Sequence, residues 1–87
     1  MALFLPGRLV ITPGALAALS AEVVKTALRR HLAGDWGDMD EHDAKENELS
    51  LREGFRLLSA YHDGGTKFWI ITEADRSATT ILLPQEY

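Results

Sequence analysis

From Phe55 onward the apolar periodicity changes from helical to two, and that switch confines the chain to an α+β architecture with its sheet built late. Phe55, Leu57, Ser59 and Tyr61 alternate with Arg56, Leu58 and Ala60, the pattern of a half-buried strand. Asp63-Gly64-Gly65 supplies a hairpin turn, and Lys67–Glu73 follows as a second strand rich in aromatic and β-branched residues. Ala74-Asp75-Arg76-Ser77 turns the chain again, and Ala78–Leu83 is a third strand stopped by Pro84. Phe68, Trp69, Ile70 and Ile71 make both faces of the middle strand apolar. That strand is therefore expected to be central, with helices over at least one side.

The first half of the chain reads as a strand and then helices. Arg8–Ile11 is a short β-prone run that ends at Thr12-Pro13, an N-cap followed by a proline whose missing N–H costs nothing in the first helical turn. A short helix over Gly14–Leu19 would turn Leu16 and Leu19 inward. Ser20 is a second N-cap, and Val24, Leu28 and Leu32 recur at helical spacing behind it, which predicts a helix over 21–33 closed by Gly34. Gly34-Asp35-Trp36-Gly37-Asp38 is a tight connection. Asp38 with Glu41 gives a capping pattern, and Glu41→Lys45 and Glu48→Arg52 are favourable pairs one turn apart, predicting a surface helix over 39–52 ended by Gly54. The expectation is one domain over 1–87: a short N-terminal strand, two to three helices, then a three-stranded antiparallel β-meander.

Composition removes several classes of function. With no cysteine among its 87 residues the chain has no disulfide, no thiolate nucleophile and no cysteine-based metal site. Its apolar runs are shorter than the roughly 20 residues of a membrane span. Met1–Leu5 lacks the basic flank of a signal peptide, so the expected compartment is the cytoplasm. The net charge of −4 is unevenly placed: residues 1–34 carry four basic groups and one acidic, and residues 35–48 carry seven acidic and one basic. A chain acidic overall lacks the field that supplies most nucleic-acid affinity, so direct nucleic-acid binding is disfavoured. The acidic centre would instead attract a basic protein surface.

Four constellations could carry chemistry. His42 and Glu46 lie one helical turn apart among Asp38, Asp40 and Asp43, but a zinc site needs three or four convergent ligands, and a solvated acidic helix face explains them better. Trp36 between Asp35 and Asp38 has the composition of an interface anchor, against the alternative that the indole caps the small core. Glu73, Asp75 and Arg76 place two carboxylates and a guanidinium in one turn; a self-satisfied turn, with Arg76 bridging Glu73 or Asp75, is the plainer reading. Ser77, Thr79 and Thr80 are ordinary strand hydroxyls without a base placed by sequence.

Three motifs together resemble a family. Ile11-Thr12-Pro13-Gly14-Ala15-Leu16, Gly34-Asp35-Trp36-Gly37-Asp38 and the string from Trp69 to Tyr87 look like a group of small plasmid-related proteins of bacterial plasmids and integrative elements. The resemblance implies a cytoplasmic protein of mobile-element origin and brings no catalytic residues with it. The order of elements is also similar to the RelE/ParE toxin layout, whose members are typically basic. Here Arg52, Arg56, Lys67 and Arg76 are scattered and an acidic segment intervenes.

Together these features lead us to expect a non-enzymatic protein-binding module, a monomer or homodimer with no cofactor and no resident metal. Asp35, Trp36, Asp38, Asp40 and Glu41 are its expected contact surface, with Glu73, Asp75 and Arg76 as a secondary cluster. The enzymatic alternative is a RelE/ParE-like toxin or a metal-assisted hydrolase using His42, Glu46, Glu73 and Asp75. A third possibility is self-pairing through Ala78–Leu83, if that strand is an edge.

Overall fold

The structure, a computed structural model, describes residues 2–87. The elements run β1 (Arg8–Ile11), α1 (Pro13–Ala18), α2 (Ala21–Leu32), α3 (Glu41–Glu53), β2 (Leu57–Asp63), β3 (Thr66–Thr72) and β4 (Ala78–Leu82), with a single 3₁₀ turn at Pro84–Glu86. The sheet order is β1-β4-β3-β2. β2, β3 and β4 form the expected antiparallel meander, with β3 central, and β2 and β3 meet around Gly64-Gly65. The N-terminal strand adds to it in parallel, pairing Leu9 with Thr79 and Ile11 with Ile81, which makes the sheet four-stranded and mixed. β4 is consequently an interior strand, and the expectation that it could pair with a second copy is corrected: the edges of this sheet are β1 and β2.

Local chemistry accounts for the helix starts. Thr12 accepts from the Ala15 N–H, Ser20 from the Val23 N–H and Asp40 from the Asp43 N–H, each satisfying an orphan donor of a first turn. The cap of α3 is therefore Asp40, two residues beyond the expected Asp38. Gly54 ends α3 in the left-handed conformation, at φ +80°.

α1 and α2 lie on the sheet face that carries Tyr61, Phe68, Ile70 and Ile81, and Ala15, Leu19 and Ala27 pack against these residues. Phe68, Leu57, Ile70 and Ile81 are essentially fully buried. Each such side chain contributes about 1.5–3 kcal/mol over its exposed state. Leu16 does not share this packing: it is 67% exposed, opposite to expectation, because the six-residue α1 presents only Ala15 to the core. Among the described residues no helix is long and apolar enough to cross a membrane.

The two edges of the sheet are finished differently. On the outer side of β2, the Asn47 side chain of α3 accepts from the Leu58 N–H and donates to the Leu58 carbonyl, at 3.1 and 2.6 Å. The next outward residue, Ala60, donates to the Trp36 carbonyl and accepts from the Asp38 N–H. Gly37 sits between them at φ +75°, and a Cβ there would collide with the Ala60 carbonyl, so only glycine lets the loop approach this closely. Among the described residues β1 has no such cover. Arg8 and Thr12 donate to the Ser77 and Ile81 carbonyls of the β4 side. The alternation of a strand therefore turns the N–H and C=O groups of Leu9 and Ile11 outward.

Candidate functional site

The acidic residues expected to form a contact surface are each engaged inside the molecule. Asp35 receives two hydrogen bonds from Arg30, whose guanidinium also lies over the Tyr61 ring. Arg30 holds the Asp35 carboxyl below its ordinary range. Asp38 pairs with His62 at 2.7 Å, Asp40 caps α3, and Glu41 pairs with Lys45 at 3.3 Å. Trp36 is only 5% exposed, with its indole N–H donated to Glu48 and its ring edge-on to His31. An exposed indole anchor is thereby corrected: Trp36 belongs to the packing between the 34–38 loop, α2 and α3, and only its acidic neighbours reach the surface.

The Glu73, Asp75 and Arg76 cluster is also differently built. Asp75 accepts from the Ser77 N–H within the turn. Arg76 bridges neither carboxylate. Its guanidinium donates to the carbonyls of Ser50, Phe55, Glu73 and Ala74, and so fastens the β3–β4 turn to the last turn of α3. The Ser50 carbonyl belongs to the last turn of α3, where unpaired acceptors and the helix dipole favour a cation. Arg76 itself takes a left-handed backbone, at φ 62°.

His42 and Glu46 sit 4.0 Å apart on the exposed face of α3. Arg76 ties the Glu73–Asp75 turn to Ser50, eight residues further along the helix, about 12 Å away at 1.5 Å per residue. Of the hydrolase alternative, His42 therefore lies about 12 Å and Glu46 about 6 Å along α3 from the point where the Glu73–Asp75 turn is fastened. Among the described residues no three histidine or carboxylate side chains converge as a metal-ligand group.

A polar chain that the sequence did not announce runs through the core. His31 on α2 touches Ser59 of β2 through Nδ1 and Thr72 of β3 through Nε2, at 2.9 Å for the latter. Thr72 meets Thr79 of β4 at 2.7 Å, and Thr79 donates to the Pro6 carbonyl. His31, Ser59, Thr72 and Thr79 are all fully buried. The carbonyl at the end can only accept, and this fixes every proton. Thr79 spends its hydrogen on Pro6, so Thr72 donates to Thr79, His31 donates from Nε2 to Thr72, and Ser59 donates to Nδ1. The imidazole is neutral, and burial, reinforced by the charge of Arg76, pushes its pKa down to about 4. Ser59 donating to an imidazole has the polarity of a nucleophile–base pair. Its third member is a hydroxyl, however, and its oxygen is sealed from solvent, so no substrate reaches it.

What remains open is the β1 side. Leu9 is 51% and Ile11 37% exposed, and with Leu16, Leu3 and Leu5 they gather most of the exposed large apolar residues into the first sixteen positions. Ile11, Leu16, Leu19, Ala21, Val24 and Lys25 enclose an apolar cleft of about 270 Å³ between the end of β1 and the α1–α2 corner. An unpaired strand edge beside an apolar cleft can take up an extended backbone together with one or two of its side chains. The sequence signal was present, in the leucines of positions 3–16, but assigning Leu16 to the core concealed it.

Three comparisons with known proteins return nothing: no family model, no curated protein and no solved structure matches this chain.

Proposed function

We propose that this chain is a non-enzymatic protein-binding module that takes a partner at β1, within the bacterial mobile-element setting that its plasmid-related resemblance implies. The single observation that supports this reading is the contrast between the two edges. Asn47 and the 36–38 loop cover β2 at Leu58 and Ala60, two of its three outward positions, whereas β1 offers Leu9 and Ile11 bare, beside an apolar cleft. Open edges flanked by apolar side chains are an aggregation hazard in a stable monomer, so a sheet that closes one edge and leaves the other is arranged for a partner there. The acidic groups at 35–48 then keep that far side of the molecule soluble and repel phosphate-bearing ligands.

Photo-crosslinking from within a bacterial cell tests this reading. A benzophenone amino acid placed at position 16 is expected to give one discrete protein adduct, while the same group at position 45 on α3 gives none. No adduct from position 16, or the same adducts from both positions, overturns it.

A further inference from the structure

Resting on that reading, we infer that the partner at β1 is an extended acidic segment of another protein, with apolar residues alternating with Asp or Glu. The geometry comes from the pleat. A strand paired to the outward groups of Leu9 and Ile11 sends alternate side chains to the α1–α2 face, where the cleft between Ile11, Leu16 and Val24 accepts an apolar one. Lys25 stands on the rim of that cleft, and Arg29 follows one helical turn on along the same stripe of α2. The opposite face of β1 carries Arg8, two residues before Val10.

Charge decides what kind of strand fits. Among the described residues Arg8, Lys25 and Arg29 have no carboxylate partner, whereas Arg30 is already neutralised by Asp35. Residues 1–34, which hold the open edge and the α1–α2 corner, carry four basic groups against Glu22, although the whole chain carries −4; Glu86 also reaches the end of β1, where the Thr12 hydroxyl and the Gly14 N–H hold it. A second copy would add its own Arg8, Lys25 and Arg29 to this edge, offset in part by its Glu86. A basic strand would meet them directly. A strand with carboxylates next to its apolar residues neutralises them and is also steered to this edge rather than to the acidic α3 side.

Selection from a phage-displayed library of random dodecapeptides, against the full chain, tests the inference. The enriched peptides are expected to alternate apolar residues with Asp or Glu, and exchanging those acids for lysine should weaken binding at least about tenfold. Leu9→Pro removes an outward N–H and exchanges a half-exposed leucine for a ring, and Leu16→Ser removes an exposed apolar side chain, so each should weaken binding tenfold or more while the protein stays folded. Peptides that need Leu9 and Leu16 but are neutral or basic would overturn the acidic partner and leave the module standing. Peptides indifferent to both substitutions, or none enriched, would overturn both. A concentration-dependent dimer abolished by Leu9→Pro would mean that a second copy covers the edge, and would overturn the acidic partner.

Discussion

His31→Phe is expected to lower the unfolding free energy by about 3 kcal/mol, the cost of leaving the buried hydroxyls of Ser59 and Thr72 without their shared partner at about 1–3 kcal/mol each. For a domain of this length that is a fall of roughly 12–24 °C in Tm. The same side chain governs acid sensitivity. Its pKa is about 4 in the fold and 6.5 in the unfolded chain, so between these values the unfolded chain takes a proton that the folded one refuses. Stability attributable to His31 is therefore complete above pH 6.5 and falls by about 1.4 kcal/mol per unit as the pH drops towards 4. Chemical denaturation between pH 4 and pH 8 reads both effects. The wild type should show a slope that His31→Phe lacks. Equal slopes, or an unchanged midpoint in the variant, would contradict the buried chain of hydroxyls and imidazole.

Trp36→Ala should cost about 3–5 kcal/mol, the usual consequence of emptying a buried aromatic site. Part of the loss comes from Glu48, which the indole N–H now engages, and part from the edge-on contact with His31. Trp36→Phe keeps most of the volume and should recover more than half of the loss. Peptides selected at β1 should bind Trp36→Ala with unaltered affinity at temperatures where it is folded, because Trp36 lies by the opposite edge of the sheet. A nearly unchanged Tm together with lost binding would restore the indole as an interface anchor. Thermal unfolding and fluorescence anisotropy on the same samples separate the two cases.

The elements were legible because each rests on neighbours in sequence. Thr12 and Ser20 cap, Gly54 stops a helix, and Phe55 to Leu83 alternates and turns at glycines. The candidate site was much less legible, since each of its decisive contacts joins distant segments. Whether β4 is an edge depends on the β1 strand some seventy residues earlier in the chain. Asn47 reads as one more polar residue of an acidic helix until the helix is laid along β2, where its amide stands in for a missing strand. His31 carries the signature of a helix C-terminus, and nothing local distinguishes that from a ring meeting Ser59 and Thr72. Trp36 between two acids has the composition of a surface hot spot. Its burial follows from Gly37, which lets the loop reach Ala60 and so folds the indole under α3. Arg76 finds helix and loop carbonyls rather than its neighbouring carboxylates because its left-handed backbone aims it back towards α3.

Amide hydrogen exchange on the dilute free protein addresses the unequal edges most directly. Leu58 and Ala60, bonded to Asn47 and Trp36, should be protected at least about a hundredfold more than Leu9 and Ile11, whose N–H groups face solvent and should exchange close to the rate of an unstructured chain. Protection of Leu9 and Ile11 equal to that of Leu58 and Ala60 would mean that β1 is already covered, and would contradict its role as the docking edge.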